Sequence, residues 1–558
     1  MNILKSRTSG VEEMMVTNDM GHPNYIPGTF NIYETGEHDR SISKNDSGVI
    51  LVPQPTESVN DPLNYKPWRK IMNLTVLCFL TAFTAATSND AGATQDSLNE
   101  DYSISYDLMN NAAGILFLAI GFNTFIMAPL SALYGRKLQY IICIVFGLIG
   151  SIWMANIKRP RDALWNQLFV GASESCAEAA VQQSLTDIYF QHQLGHMLTY
   201  YILATSVGTY LGPLIAGYIS GDVGWAWVGW AGAIISGFAL VLIVFFMDNT
   251  QFDRRKYSKP KPDGEVEDNV NKKETASEEN VNITLTYQGS IVSDNGASEP
   301  MNSYWYDKTL FRKAPHVVGT GFKQYCKIFF TSLRVFAFPG VIYSGVVWGL
   351  QSALLTFYLT VEDDQYYDPP YSYSDAGVAI MNVPCLIGAV FGCVYAGVVS
   401  DWFNLWMSRR NNGIQEAENR LYFLFLSGII GPIGLVLFAV GTDQVWSWFP
   451  TYLGLVFIGF AFGASGDVAL GYLMDAYPDT VIEMMAGVAV INNIIGCVFT
   501  FACSPWLEAM GNTKTFIILA VIEFVVAFFA IFFIWYGKAI RKKTTKMYIN
   551  YCKLRDSI

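Results

Sequence analysis

Charge is scarce in this chain. Asp, Glu, Lys and Arg make up 15% of its 558 residues, against roughly 25% in a soluble domain. Basic residues are the rarer kind, and the net charge of −11 argues against nucleic acid as a partner, because basic patches drive that binding. No G-x-x-x-x-G-K-[ST] stretch is present to cradle a nucleotide phosphate, so ATP is not expected to power the protein. Nine cysteines are scattered, none as C-x-x-C, and Cys78, Cys143 and Cys497 lie inside apolar runs, so neither a zinc site nor a disulfide framework is predicted. There is no Ser/His/Asp or metal-ligand arrangement. His192 and His196 form H-x-x-x-H without the Glu of a zinc protease; in a short loop they either sense pH or are simply solvated. No enzyme, cofactor or metal is implied. Met1 to about Pro67 has no apolar core, so no cleaved leader is expected and the first span directs insertion.

What remains is apolar. Hydrophobic residues make up 52% of the chain and aromatics 15%, gathered into runs of about 20 residues, the length a helix needs to cross a bilayer. Twelve spans are predicted, near 70–89, 108–131, 138–157, 163–189, 197–219, 226–247, 335–360, 376–399, 421–441, 448–475, 483–503 and 514–537. A barrel would show shorter, alternating segments, so the expected class is all-α membrane protein. The predicted organisation is a tail (1–69), a six-helix bundle (70–248), a linker (249–334), a second six-helix bundle (335–537) and a tail (538–558). The stretch Asn271 to Asn280 has almost nothing apolar to bury and reads as disordered. Two sets of six spans suggest repeats around a central site. An internal echo agrees: Leu185-Thr-Asp187-Ile-Tyr189 ends span four, and Leu473-Met-Asp475-Ala-Tyr477 ends span ten.

Lys66, Arg69 and Lys70, then Arg136 and Lys137, then Arg409, Arg410 and Arg420, then Lys538, Arg541, Lys542 and Lys543 fall on one side if both termini are cytoplasmic. Lys158, Arg159 and Arg161 are the exception. The sequon Asn282-Ile-Thr284 then faces the cytosol and is expected to be unglycosylated.

Ionisable groups inside spans are costly and mark candidate sites. Glu174 and Glu178 stand four residues apart in span four, on one helical face. Gln167, Gly171 and Gln182 extend that polar stripe. The pair either lines a water-filled cavity or is buried among hydroxyls and amides. Two carboxylates a turn apart repel unless a cation or proton lies between them, and no Lys or Arg deep in these spans supplies one. A small organic cation carrying amines fits, bridging both carboxylates by charge-assisted hydrogen bonds, with a proton in its place when cargo is absent. Asp90 is either the first carboxylate the cargo meets or a helix-end residue in water. Asp467 faces the cavity if spans four and ten are symmetry mates. Trp348, Gln351 and Tyr358 form a stripe in span seven that either meets ammonium through ring faces or packs. Asn492 and Asn493 are a polar pair in span eleven. Asp187 is expected to form a charge lock with Arg136, and Asp475 with Arg409 or Arg410. Between Ala91 and Asp107 lie four acids, and between Val361 and Asp375 five, unopposed by Lys or Arg. These read as two outer loops, either a vestibule that concentrates cations or ordinary hydrated surface.

Several local patterns carry a family resemblance. Pro129-Leu-Ser-Ala-Leu-Tyr-Gly135-Arg136-Lys137 follows span two, with Ala132 where the corresponding motif usually has aspartate. Gly208-x-x-x-Gly212-Pro213-x-x-x-Gly217 occupies span five. Gln167-x-x-x-Gly171 stands where Arg-x-x-x-Gly is common. Asp61-Pro-Leu-Asn64 with Trp68-Arg-Lys70 leads into span one. Together these resemble the fungal drug:proton antiporter branch of the major facilitator superfamily. Tyr25-Ile-Pro-Gly-Thr-Phe-Asn-Ile-Tyr33, Thr81 to Gly92, Ser173 to Glu178 and Phe190 to Gly195 are similar to polyamine permeases of the budding-yeast type, associated with histidinol uptake. The resemblance implies a plasma-membrane importer of putrescine, spermidine and related cations. Protons and the lipid bilayer are the other expected partners, and a monomer is expected. The span-five motif implies export instead; its small residues also read as helix-contact and bending points. A receptor-like sensor is a further alternative.

Overall fold

The computed structural model describes residues 25–31, 55–56, 58–252, 302–310, 321–367 and 369–556. The stretch 271–280 and the sequon at Asn282 lie outside the described residues. The spans form α1 (Pro67–Asn89), α2 (Tyr106–Tyr134), α3 (Arg136–Met154), α4 (Pro160–Cys176), α5 (Gln191–Asp222) and α6 (Ala226–Phe246). The second set is α7 (Pro339–Tyr366), α8 (Asn382–Cys393), α9 (Leu424–Asp443), α10 (Trp448–Ala476), α11 (Val481–Met510) and α12 (Asn512–Phe528). Proline at the first helical position of α1, α4 and α7 sets φ where no backbone donor is needed.

Among the described residues, eleven helices are long and apolar enough to cross a membrane. α4 is the remaining span, and its polar stripe is why it fails that test. α4 continues through a π turn at Ala177–Val181 into Gln182–Ile188, so Glu178 sits within the irregular turn. Such turns recur at functional sites. α8 likewise continues through Val394–Val399 into Ser400–Arg410.

α1–α6 pack as one bundle and α7–α12 as another, meeting along α2 with α11 and α5 with α8. Small residues permit this closeness: a Cβ on Gly212 of α5 would lie 2.7 Å from Ala86 of α1, and Gly208 meets Ala82 on the same helix. Gly397, after α8, faces Thr199 of α5.

The segments read as tails and linker are partly built into the bundles. Thr29–Asn31 (β1) pairs antiparallel with Ile414–Glu416 (β2), with Thr29 opposite Glu416. The helix Ala530–Asp556 carries α12 well past residue 537 and buries Tyr548, Tyr551 and Cys552. In the linker, Asp307 and Lys308 dock against the first bundle. Arg69 bonds Asp248 and Asp307, each at 2.7 Å, and Lys308 reaches Asp248 at 2.7 Å. Burial pushes the Asp248 carboxyl up, but the bonds from Arg69 and Lys308 outweigh it and leave the group below the usual carboxylate value.

Candidate substrate cavity

The polar face of α4 needs somewhere other than lipid to point, and it finds a cavity of about 160 Å³ between the two bundles. Glu174 and Glu178 both line it. Ser88 of α1 adjoins the Glu174 carboxylate, and Asn492 of α11 adjoins Glu178. Asn492 is held in turn by Ser352 of α7, whose hydroxyl donates to its Oδ1 at 3.0 Å. Trp348 lies one turn from Ser352 on the same wall. Among the described residues, no Lys or Arg lines the cavity. The wall therefore offers carboxylates, amides, hydroxyls and one indole, a set that binds a cation by charge and an alkyl chain by contact.

At one end each bundle is tied internally by charge. Arg136 Nε donates to Asp187 at 3.0 Å, and Thr250 donates to the same oxygen at 3.0 Å. In the second bundle Arg420 donates to Asp475 at 3.0 Å and to Asp401 at 2.9 Å. The matched ends of α4 and α10 thus carry equivalent carboxylate–arginine pairs.

The profile of the Major Facilitator Superfamily matches residues 75–500. The chain belongs to this superfamily. It is a multi-pass membrane transporter and not an enzyme. Protein HOL1 of Saccharomyces cerevisiae is 50% identical over 580 residues, covering 96% of this chain and 99% of that one. An MFS-type transporter of Schizosaccharomyces pombe is 43% identical, covering 96% of both chains. The solved proton:xylose symporter XylE shares the fold with a TM-score of 0.58 and 13% identity, over 84% of this chain and 97% of its own.

Of the residues expected at the site of this facilitator, Glu174, Glu178, Trp348, Asn492 and Asn493 line the cavity, as do Gln167, Pro213 and Gly217. Asn493 spends its amide on Ala489 O of its own helix, at 2.8 Å. Four others point elsewhere. Gln351 and Tyr358 lie on the flank of α7 turned into the second bundle: Gln351 donates to Glu523 at 2.9 Å and Tyr358 to Asn382 at 3.2 Å. Asp90 is buried at the end of α1, off the cavity wall, and its Oδ1 has no hydrogen-bond partner among the described residues. Asp467 is fully buried and accepts from Thr199 at 2.9 Å; it too lies off the wall. The expected lock of Asp475 with Arg409 or Arg410 is also corrected, because Arg420 makes it. Arg409 is exposed, and Arg410 stacks on Trp406, 4.1 Å from the ring centroid. The positive φ of Asn412 and Gly413 turns the chain back after Arg410 and brings Arg420 beneath Asp475.

Three carboxylates were not placed at or near the site by the sequence reading. Glu362 and Asp363, assigned to an outer loop, sit in the last turn of α7 and line the cavity. Helical spacing from Trp348 through Ser352, Leu355 and Leu359 leads onto them, and that continuing period was the available signal. Glu523 interrupts the apolar run of α12 and is buried against Gln351; its charge inside a span was the clue.

Proposed function

We propose that this facilitator imports small organic cations carrying amines, namely polyamines such as putrescine, spermidine and spermine, by alternating access with protons as the coupling ion. The observation that carries the reading is Glu174 and Glu178 together on a cavity wall that, among the described residues, no Lys or Arg lines. Unneutralised carboxylates in a low-dielectric setting demand a counter-charge, and an ammonium or a proton meets that demand. Exchange between the two at one site couples their movements. The resemblance to fungal polyamine permeases supports the same cargo and a plasma-membrane location. The clustering of Lys and Arg at the end that holds Arg136 and Arg420 supports cytoplasmic termini. In this reading the bundles at 70–248 and 335–537 are the moving units, and the linker at 249–334 joins them.

The span-five pattern Gly208-x-x-x-Gly212-Pro213 favours a second reading, a proton-driven exporter of the antiporter branch. Cells with and without the protein, given labelled spermidine, separate the two: an importer raises accumulation and an exporter lowers it. Purified protein in liposomes under an imposed pH gradient, with competing amines, then tests cargo and coupling together. Failure of any amine to cross, or to bind, defeats both readings. Binding without transport indicates a sensor.

A further inference from the structure

The cavity has a second acidic end. Glu362 lies on its wall, is 1% exposed, and is held by a short chain of side chains. The Tyr358 hydroxyl donates to Asn382 Oδ1 at 3.2 Å, which turns the amide so that Nδ2 donates to Glu362 Oε1 at 3.0 Å. The other oxygen, Oε2, is buried and has no hydrogen-bond partner among the described residues. A carboxylate oriented on one side and unsatisfied on the other is expensive to keep unless something positive completes it. Asp363 follows on the same wall, facing Gly92, where a Cβ would come within 2.8 Å of its Oδ2.

The two acidic ends are linked by one helix face. Ser352, which holds Asn492 beside Glu178, lies ten residues before Glu362 in α7. That spacing is about 15 Å of rise. Between them Leu355, Thr356 and Leu359 line the wall, a mostly apolar strip suited to methylene groups. Carboxylates at both ends and alkyl contact between them describe an elongated cation with separated amines.

We propose that Glu362, with Asp363 beside it, is a second cation subsite that takes the far ammonium of a long linear polyamine whose other end lies at Glu174 and Glu178. This rests on the amine reading of the central site. It deepens that reading by making cargo length a property the protein selects: a tetramine reaches both ends, and a short diamine reaches one.

The test is uptake into proteoliposomes of spermine and of putrescine by the full chain and by Glu362→Gln. The spermine-to-putrescine ratio of kcat/KM is expected to fall about tenfold or more in the variant, the effect of losing one charge-assisted hydrogen bond. A ratio within about twofold of the starting protein overturns the subsite. Should Glu362→Gln fail to fold, Asp363→Asn at the half-exposed neighbouring position must lower the same ratio, and an unchanged ratio there also overturns it. If the unaltered protein carries neither amine, the central-site reading falls first. If it carries both and only the ratio is insensitive, the second subsite alone is wrong.

Discussion

The hydroxyl of Thr199, in the first bundle, donates to the Asp467 carboxylate of the second at 2.9 Å. The contact crosses the interface where α5 meets α8 and α10, at the level where Gly397 makes room for the threonine side chain. Asp467 therefore serves the joint between bundles, and alternating access requires such a contact to break when the bundles rock apart at this end. Thr199→Val keeps the shape and removes only the donor, leaving a buried carboxylate without it. We expect the closed arrangement to lose about 1–2 kcal/mol, a shift of roughly tenfold in the population of open molecules. Cys393, 1% exposed and close to Gly463 one turn before Asp467, is a native reporter. In a background where it is the sole cysteine, its labelling by a thiol reagent should quicken severalfold in the valine variant. Unchanged labelling would show that Thr199 does not hold the joint.

Glu174 and Glu178 are predicted to be required for cation movement in unequal ways. Glu178 lies within the π turn, beside Asn492, where both bundles meet, while Glu174 lies beside Ser88 within the first bundle alone. Glu178→Gln should thus cut spermidine uptake about tenfold or more at normal surface level, and Glu174→Gln by a smaller factor. Both losses should appear as reduced binding by the purified protein. Undiminished uptake in either variant would remove that residue from the site.

The twelve spans and the paired carboxylates could be read from the chain because both rest on one-dimensional facts: run length, and a charge where charge is costly. Direction around a helix was less legible. Gln351 and Tyr358 share a broad stripe with Trp348 and Ser352, and the neighbours on each side, unknown in advance, decide which flank meets water. Glu362 and Asp363 look like loop acids to any hydropathy measure, yet Val361 and Tyr366 continue the helix around them. Among Arg409, Arg410 and Arg420 nothing local ranks one above another; the backbone turn at Asn412 and Gly413 does that. β1 was invisible because its partner lies almost 400 residues away, and no periodicity reports a pairing that distant.

Arg420 and Arg409 should behave oppositely despite their common loop. Arg420 is 4% exposed and bonds two carboxylates through separate nitrogens. A lysine cannot reproduce that fork. Arg420→Lys is expected to cost about 2–4 kcal/mol of stability, as lost geometry in a buried ion pair. It should also slow turnover while leaving amine affinity within about twofold, since the lock lies away from the cavity. Arg409→Ala should change neither melting temperature nor turnover. Thermal denaturation and transport of both variants decide the matter, and a silent Arg420→Lys would mean that the lock at Asp475 is decorative.

Gly28 makes the sharpest prediction about the N-terminal strand. Its φ of +71° is one that side chains rarely adopt, and a Cβ there would come within 2.6 Å of Ala476 Cα and 2.7 Å of the Asp475 carbonyl. The left-handed backbone alone costs a non-glycine residue about 1–2 kcal/mol, and the collision adds to it because both obstacles are backbone atoms. The glycine carbonyl also accepts from Ala417 N at 3.2 Å, while Arg541 donates to Thr29 Oγ1 at 3.0 Å and to the Pro27 carbonyl. Through these contacts the strand rests against the end of α10 that presents Asp475 to Arg420. Gly28→Ala should therefore unseat β1, lower the melting temperature and reduce turnover. Deleting residues 1–31 should reduce turnover to a similar extent, because it removes the same support. If Gly28→Ala melts and transports as the unaltered protein does, the strand's packing on α10 contributes nothing to the lock, and the coupling of this segment to transport is refuted.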